Sequence, residues 1–137
     1  MADLSITAAS VVKGTGAVTV QGTAGAAIAA GDQVYYDSGT QSYKLADCNS
    51  ATAAARVASG TALNGAASGQ PLTVQTSGPI TIGATVAVGV TYFLSGTAGK
   101  IRPAADNTTG DYVQIVGIGI STTQISLGYH SAGAPMA

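Results

Sequence analysis

The chain has no glutamate and no tryptophan, and only one cysteine, one histidine and one phenylalanine in 137 residues. Each scarcity removes a class of protein. The single thiol, Cys48, excludes an internal disulfide framework and a cysteine-based metal site. Five basic and six acidic residues make up 8% of the chain, against roughly a quarter in ordinary globular domains. They are spread singly, so there is no electrostatic footprint for nucleic acid or for an anionic membrane. The first residues, MADLSITAAS, lack a positive segment followed by an apolar one, and no secretion signal is expected. No apolar run approaches the roughly 18 uninterrupted residues of a membrane span. Synthesis in a cytoplasm with no export address is the resulting expectation.

Small residues take the place of the missing ones. Gly, Ala, Ser and Thr account for 74 of the 137 positions, and Leu, Ile, Val and Phe for 28. That apolar share borders on the disordered class, but disorder also needs high net charge, and here it is −1. A fold around a thin core is expected. A thin core under a Thr, Ser, Gly and Ala surface suits a protein packed against copies of itself or a partner, since association offsets limited burial.

The strongest pattern runs from Gly69 to Leu94. Leu72, Val74 and Thr76 alternate with polar neighbours, Ser77-Gly78-Pro79 interrupts, Ile80 and Ile82 alternate, and Val86, Val88 and Val90 alternate after Gly83. Period two, β-branched content and Gly/Pro breaks predict consecutive short strands. Residues Gly31 to Asp47 predict a β-hairpin turning at Asp37-Ser38-Gly39-Thr40. Asn49 to Arg56 holds the only helix signal, at most two turns, capped by Asn49 or Ser50. Asn64-Gly65 reads as a turn with left-handed backbone. Lys13-Gly14-Thr15-Gly16 reads as a hairpin loop between Val11-Val12 and Val18 to Val20. Residues 1–29 are either a strand pair with a loop or an arm reaching a neighbouring subunit, and 131–137 a flexible tail.

The two halves echo one another. Thr91-Tyr92-Phe93-Leu94-Ser95-Gly96-Thr97 follows Val34-Tyr35-Tyr36-Asp37-Ser38-Gly39-Thr40 at an offset of 57, Gly117 falls on Gly60, and Ile125 falls on Leu72 at an offset of 53. This predicts a β domain over 30–130 with an internal duplication, about 31–78 and 88–130. The architecture expected is all-β, a small barrel or sandwich built from two pseudo-repeated hairpin units with at most one short helix. Two copies are too few for a solenoid.

Residues that could carry chemistry are sparse. His130 has no recognisable nucleophile or orienting acid to complete a triad. Cys48 reads as a small buried filler rather than an activated thiol. Asp32, Asp37, Asp47, Asp106 and Asp111 form no calcium-loop spacing, and Asp47 and Asp106 share a turn role in the repeats. Gly14-Thr15-Gly16 and Gly117-Ile118-Gly119 lack the strand–loop–helix context of a phosphate loop. No catalytic residue, cofactor or metal is expected. The six tyrosines carry nearly all the aromatic content. Adjacent Tyr35 and Tyr36 must point to opposite faces of a strand.

The segments GDQVYYDSGTQSYKLAD, AASGQPLTVQTSG, PITIGATVAVGVTYFLSG and DYVQIVGIGISTTQISLG resemble the head-decoration, or capsid-cement, proteins of tailed bacteriophages. The resemblance spans about Ala30 to Gly128 and rests on patterns of packing, not of chemistry. It implies a non-enzymatic virion protein on the outer capsid surface, partnered by the major capsid protein and by itself as a homotrimer. Leu4, Ile6, Tyr35, Tyr36 and Tyr92 are the expected interface residues. The alternative is a carbohydrate-binding or fibre module, which would use exposed tyrosines and polar loops.

Overall fold

A computed structural model describes residues 3–136. Among them the alternating segments form ten strands, with three single 3-10 turns and no α-helix. In chain order these are β1 (Val11–Lys13), β2 (Val18–Thr23), β3 (Gln33–Asp37), β4 (Ser42–Leu45) and β5 (Gly60–Ala62). There follow β6 (Pro71–Ile82), β7 (Thr91–Leu94), β8 (Ile101–Pro103), β9 (Tyr112–Gly119) and β10 (Gln124–Pro135). All pair antiparallel in one curled sheet that forms a half-barrel. The main order, β4-β3-β5-β6-β10-β9-β7-β8, reads alike from either end. Each half is a hairpin, a middle strand and a long strand, and the two long strands meet at the centre. The all-β architecture of two repeated hairpin units is the one this sequence builds.

The central strand differs from its expected form. Ser77-Gly78-Pro79 does not divide it, and β6 runs unbroken for 12 residues. Gly78 sits at φ 89°, and a β-carbon there would meet the Ala17 Cα at 3.1 Å, so the backbone bends without leaving the ladder. Buried Gln75 holds the bend: its Nε2 donates to the carbonyls of Ser77, Gly78 and Pro79 at 3.1, 3.3 and 2.8 Å. Residues before the bend pair with β2 and β5, and residues after it with β1 and β10. Both halves of the sheet thus share one strand.

The same bend explains the N-terminal segment. β1 and β2 are not a hairpin. They follow one another along β6, and Gly14 to Ala17 bulge opposite Gly78, with the Gly14 amide on the Pro79 carbonyl at 2.8 Å. Nor do residues 3–29 project as an arm. The Leu4 amide donates to the Ile101 carbonyl at 2.9 Å, Thr7 to Gly83 at 2.8 Å, and Leu4 and Ile6 pack on the protein's own core. Met1 and Ala2 lie outside the described residues.

Two apolar clusters result. The larger contains Ile80, Ile82, Leu94, Ile101, Val116 and Ile125, and the smaller contains Val34, Leu72 and Val74 with Ala24, Ile28, Ala62 and Ala66. Each fully buried Leu or Ile contributes about 1.5–3 kcal/mol. Buried amides join the halves where apolar groups are scarce. Gln114 accepts from the Ala58 amide at 2.7 Å and donates to its carbonyl at 2.9 Å. The Tyr129 hydroxyl donates to Gln33 at 2.6 Å and lies 2.7 Å from the Thr61 hydroxyl.

Other local expectations shift. The β3–β4 hairpin forms, with the Gly39 amide on Asp37 at 3.0 Å, but the left-handed residue is Gln41, φ 53°. Ala53–Arg56 makes one 3-10 turn with no side-chain cap from Thr52, Ser50 instead accepting from the Thr52 amide at 3.1 Å, and Val57 is already extended. Val86 to Val90 is a loop: Val86 points inward and Val88 outward, and the Gly89 amide bonds Gly119. Neither Asn64 nor Gly65 has positive φ. The expected tail continues β10 through Pro135, pairing Ser131 with Gln114 and Pro135 with Tyr112. Ala137 lies outside the described residues.

Candidate interaction surface

The structure separates the five expected interface residues. Tyr35 and Tyr92 are in the larger core, with the Tyr92 hydroxyl accepting from the Ala87 amide at 3.0 Å. Leu4 and Ile6 are half-buried against the same core. A thin core draws its volume from aromatics, and that claims Tyr35 and Tyr92. Tyr36 alone is exposed, 48%, edge-on to Tyr43 with ring centroids 5.3 Å apart.

The most distinctive surface lies elsewhere. Residues opposite one another in a ladder share a face. Pro79, Ser126, Ile118 and Thr91 form one such row across β6, β10, β9 and β7, and Val12, Thr81 and Gln124 a second across β1, β6 and β10. Neither row contains a charge. Val12 and Ile118 are 57% and 47% exposed. Val88 and Ile120, also exposed, lie together where the Gly89 amide meets the Gly119 carbonyl at 2.8 Å. Beside this face, β2 pairs with β6 and carries exposed Val18 and Val20; the far side of the chain meets β4 only past its end, where Ala24 bridges Tyr43 and the Gly25 amide bonds the Tyr43 carbonyl at 2.7 Å. Free edges normally carry protective charge. From Gly14 to Gly31 there is none.

The sequence signal for this surface was the Val18/Val20 alternation in a chargeless terminal strand. Reading it needed the pairing partner. A groove of about 540 Å³ adjoins the edge, lined by Lys13, Thr19, Gln21, Leu63, Asn64 and Thr73. Its polar groups partly satisfy each other, with the Thr73 hydroxyl donating to Gln21 at 3.0 Å.

The charged residues are mostly committed to internal pairs. Lys44 meets Asp37 at 2.8 Å and Lys100 meets Asp32 at 3.4 Å. Their mutual hydrogen bond lowers the Asp37 carboxyl and raises the Lys44 amine. Arg102 pairs with buried Asp111, which also accepts from the Thr108 amide and hydroxyl, both at 3.0 Å. Burial alone would raise the Asp111 carboxyl, but the Thr108 and Arg102 bonds outweigh it and hold it below the usual range. The Arg56 guanidinium stacks 4.1 Å over the Tyr112 ring. Among the described residues Lys13 is the basic side chain left without an anion or ring.

Cys48 is 1% exposed, and burial, with the Asp111 charge adding to it, pushes its thiol up to about 11, which keeps it protonated. His130 is exposed on β10 opposite Ile115, and its imidazole has no hydrogen-bond partner among the described residues. Asp32, Asp37, Asp47 and Asp111 each accept from a nearby backbone amide. Among the described residues no three His, Cys, Asp or Glu side chains gather as a metal site. Compared with known protein families and with curated proteins, the chain matches none.

Proposed function

We propose that the protein is a structural virion component that binds the outer surface of an assembled bacteriophage head and stabilises it by clamping neighbouring major capsid subunits, as a homotrimer. The observation that carries this reading is the broad chargeless sheet face with its open β2 edge. Exposed Val and Ile on a chargeless, unguarded surface are a liability for a free monomer and an asset for one that works covered. Each contact is modest, but a trimer touching several subunits gains by avidity. Binding only the assembled head stabilises it by mass action.

Co-sedimentation of the purified protein with expanded, undecorated heads tests it. Saturation near one copy per capsid subunit is expected, and no binding at micromolar protein would sink the reading. The groove, with Thr19, Gln21 and Asn64, favours carbohydrate binding as the second reading. A glycan array response without head binding would select that instead.

A further inference from the structure

We propose that Asn64-Gly65 is a site of spontaneous covalent modification, at which Asn64 converts to aspartate or isoaspartate at a rate restrained by the fold. This goes beyond the capsid reading and does not depend on it. Of the three asparagines, Asn49 precedes Ser50, Asn107 precedes Thr108, and only Asn64 precedes glycine.

The chemistry needs no catalyst. The Gly65 amide nitrogen loses its proton and attacks the Asn64 Cγ. The Cγ–Nδ2 bond breaks, ammonia leaves, and a five-membered succinimide forms. Water then opens the ring at either carbonyl, giving aspartate or, with the main chain rerouted through Cγ, isoaspartate. Glycine at the second position leaves the attacking nitrogen without a neighbouring β-carbon.

The structure supplies both access and restraint. Gly65 is exposed, and among the described residues its amide finds no acceptor. The Asn64 side chain, however, is held from three sides. Its Oδ1 accepts from the Thr73 amide at 2.8 Å, and its Nδ2 donates to the Gly65 and Pro71 carbonyls at 3.1 and 3.2 Å. Those bonds fasten the carboxamide to the start of β6, and they must break before Cγ can turn toward the Gly65 nitrogen.

Conversion would also change the junction. An aspartate oxygen in place of Nδ2 faces two carbonyl oxygens with no proton to share, so bonds become repulsions. A new negative charge enters the groove that Lys13 lines. Isoaspartate adds a methylene to the β5–β6 connection. The result is a one-way loosening of the anchor at the start of the central strand.

The test is peptide mass analysis of the full chain aged at mildly alkaline pH, folded and in urea. Expected is a gain of about one mass unit at Asn64, not at Asn49 or Asn107, accumulating about tenfold more slowly in the folded protein, or about 1.4 kcal/mol in barrier. Gly65→Ala should slow conversion further in both states. Its β-carbon would stand 3.7 Å from the Ile28 carbonyl, ordinary contact, and φ is not positive, so the fold tolerates it. Asn64→Asp should lower the urea midpoint. No conversion in the folded chain over many half-times of the unfolded one overturns the site. Equal rates in the two states overturn the restraint, and an unchanged midpoint for Asn64→Asp overturns the loosening.

Discussion

Gly60 and Gly117 occupy equivalent places in the two halves, and the facing strand explains both. A β-carbon on Gly60 would stand 2.7 Å from the Gln75 carbonyl oxygen, and one on Gly117 2.6 Å from the Ile125 Cγ2 and closer still to the Ser126 carbonyl. Gly117→Ala should therefore cost about 1–3 kcal/mol, read as a lower urea midpoint. The buried Arg102–Asp111 pair sets a second residue-scale expectation. Arg102→Met leaves a carboxylate buried without its cation and should cost roughly 3–5 kcal/mol. The pH dependence has a definite sign. Because the fold lowers the Asp111 carboxyl below its ordinary 3.8, its stabilisation is present above that value and is lost as pH falls through and below it. Removing Arg102 weakens the lowering, so acid unfolding of the variant, followed by circular dichroism, should begin at higher pH than in the parent.

At the scale of elements, β6 and β10 do equivalent work by different means. β6 bends at Gly78 and is shared between both halves, with Gln75 bonding the three carbonyls of the bend. β10 stays with β9 to its end, where the Gly110 amide bonds the Met136 carbonyl at 2.9 Å and the Met136 amide bonds Asp111 at 2.7 Å. Deleting residues 132–137 removes both bonds beside the Arg102–Asp111 pair. At about 0.5–1.5 kcal/mol each, the loss should be about 1–3 kcal/mol in chemical denaturation. A segment that was merely a loose tail would change nothing. The sequence of this end is Ser, Ala, Gly and Pro without apolar alternation, so its strand was not legible; β9 and the residues just before it supply its backbone partners.

For the whole molecule, the governing feature is how few charges remain outside internal pairs. A capsid contact made by the Val12–Ile118 face should depend little on salt, because screening acts on charges that this face lacks. Head binding measured at low and high ionic strength should differ little. Ile118→Lys places a charge, which association would have to desolvate, in the middle of the row and should weaken binding by about tenfold or more, about 1.4 kcal/mol per site. Full binding by that variant would remove the face from the proposed contact.

Period-two alternation, turn residues and the offset of 57 were enough to read an all-β chain of two repeated hairpin units, because side-chain period and turn chemistry are local properties. The Tyr35–Tyr36 alternation was readable for the same reason. Which tyrosine faced the core was not, since burial depends on what the other half of the chain brings against each face. The continuity of β6 through Ser77-Gly78-Pro79, the path of β1 and β2 along it, and the extension of β10 were likewise outside the reach of local pattern. They were decided by backbone hydrogen bonds to residues far away in sequence: a glycine bend ends a strand when nothing pairs beyond it, and here β1 and β10 do.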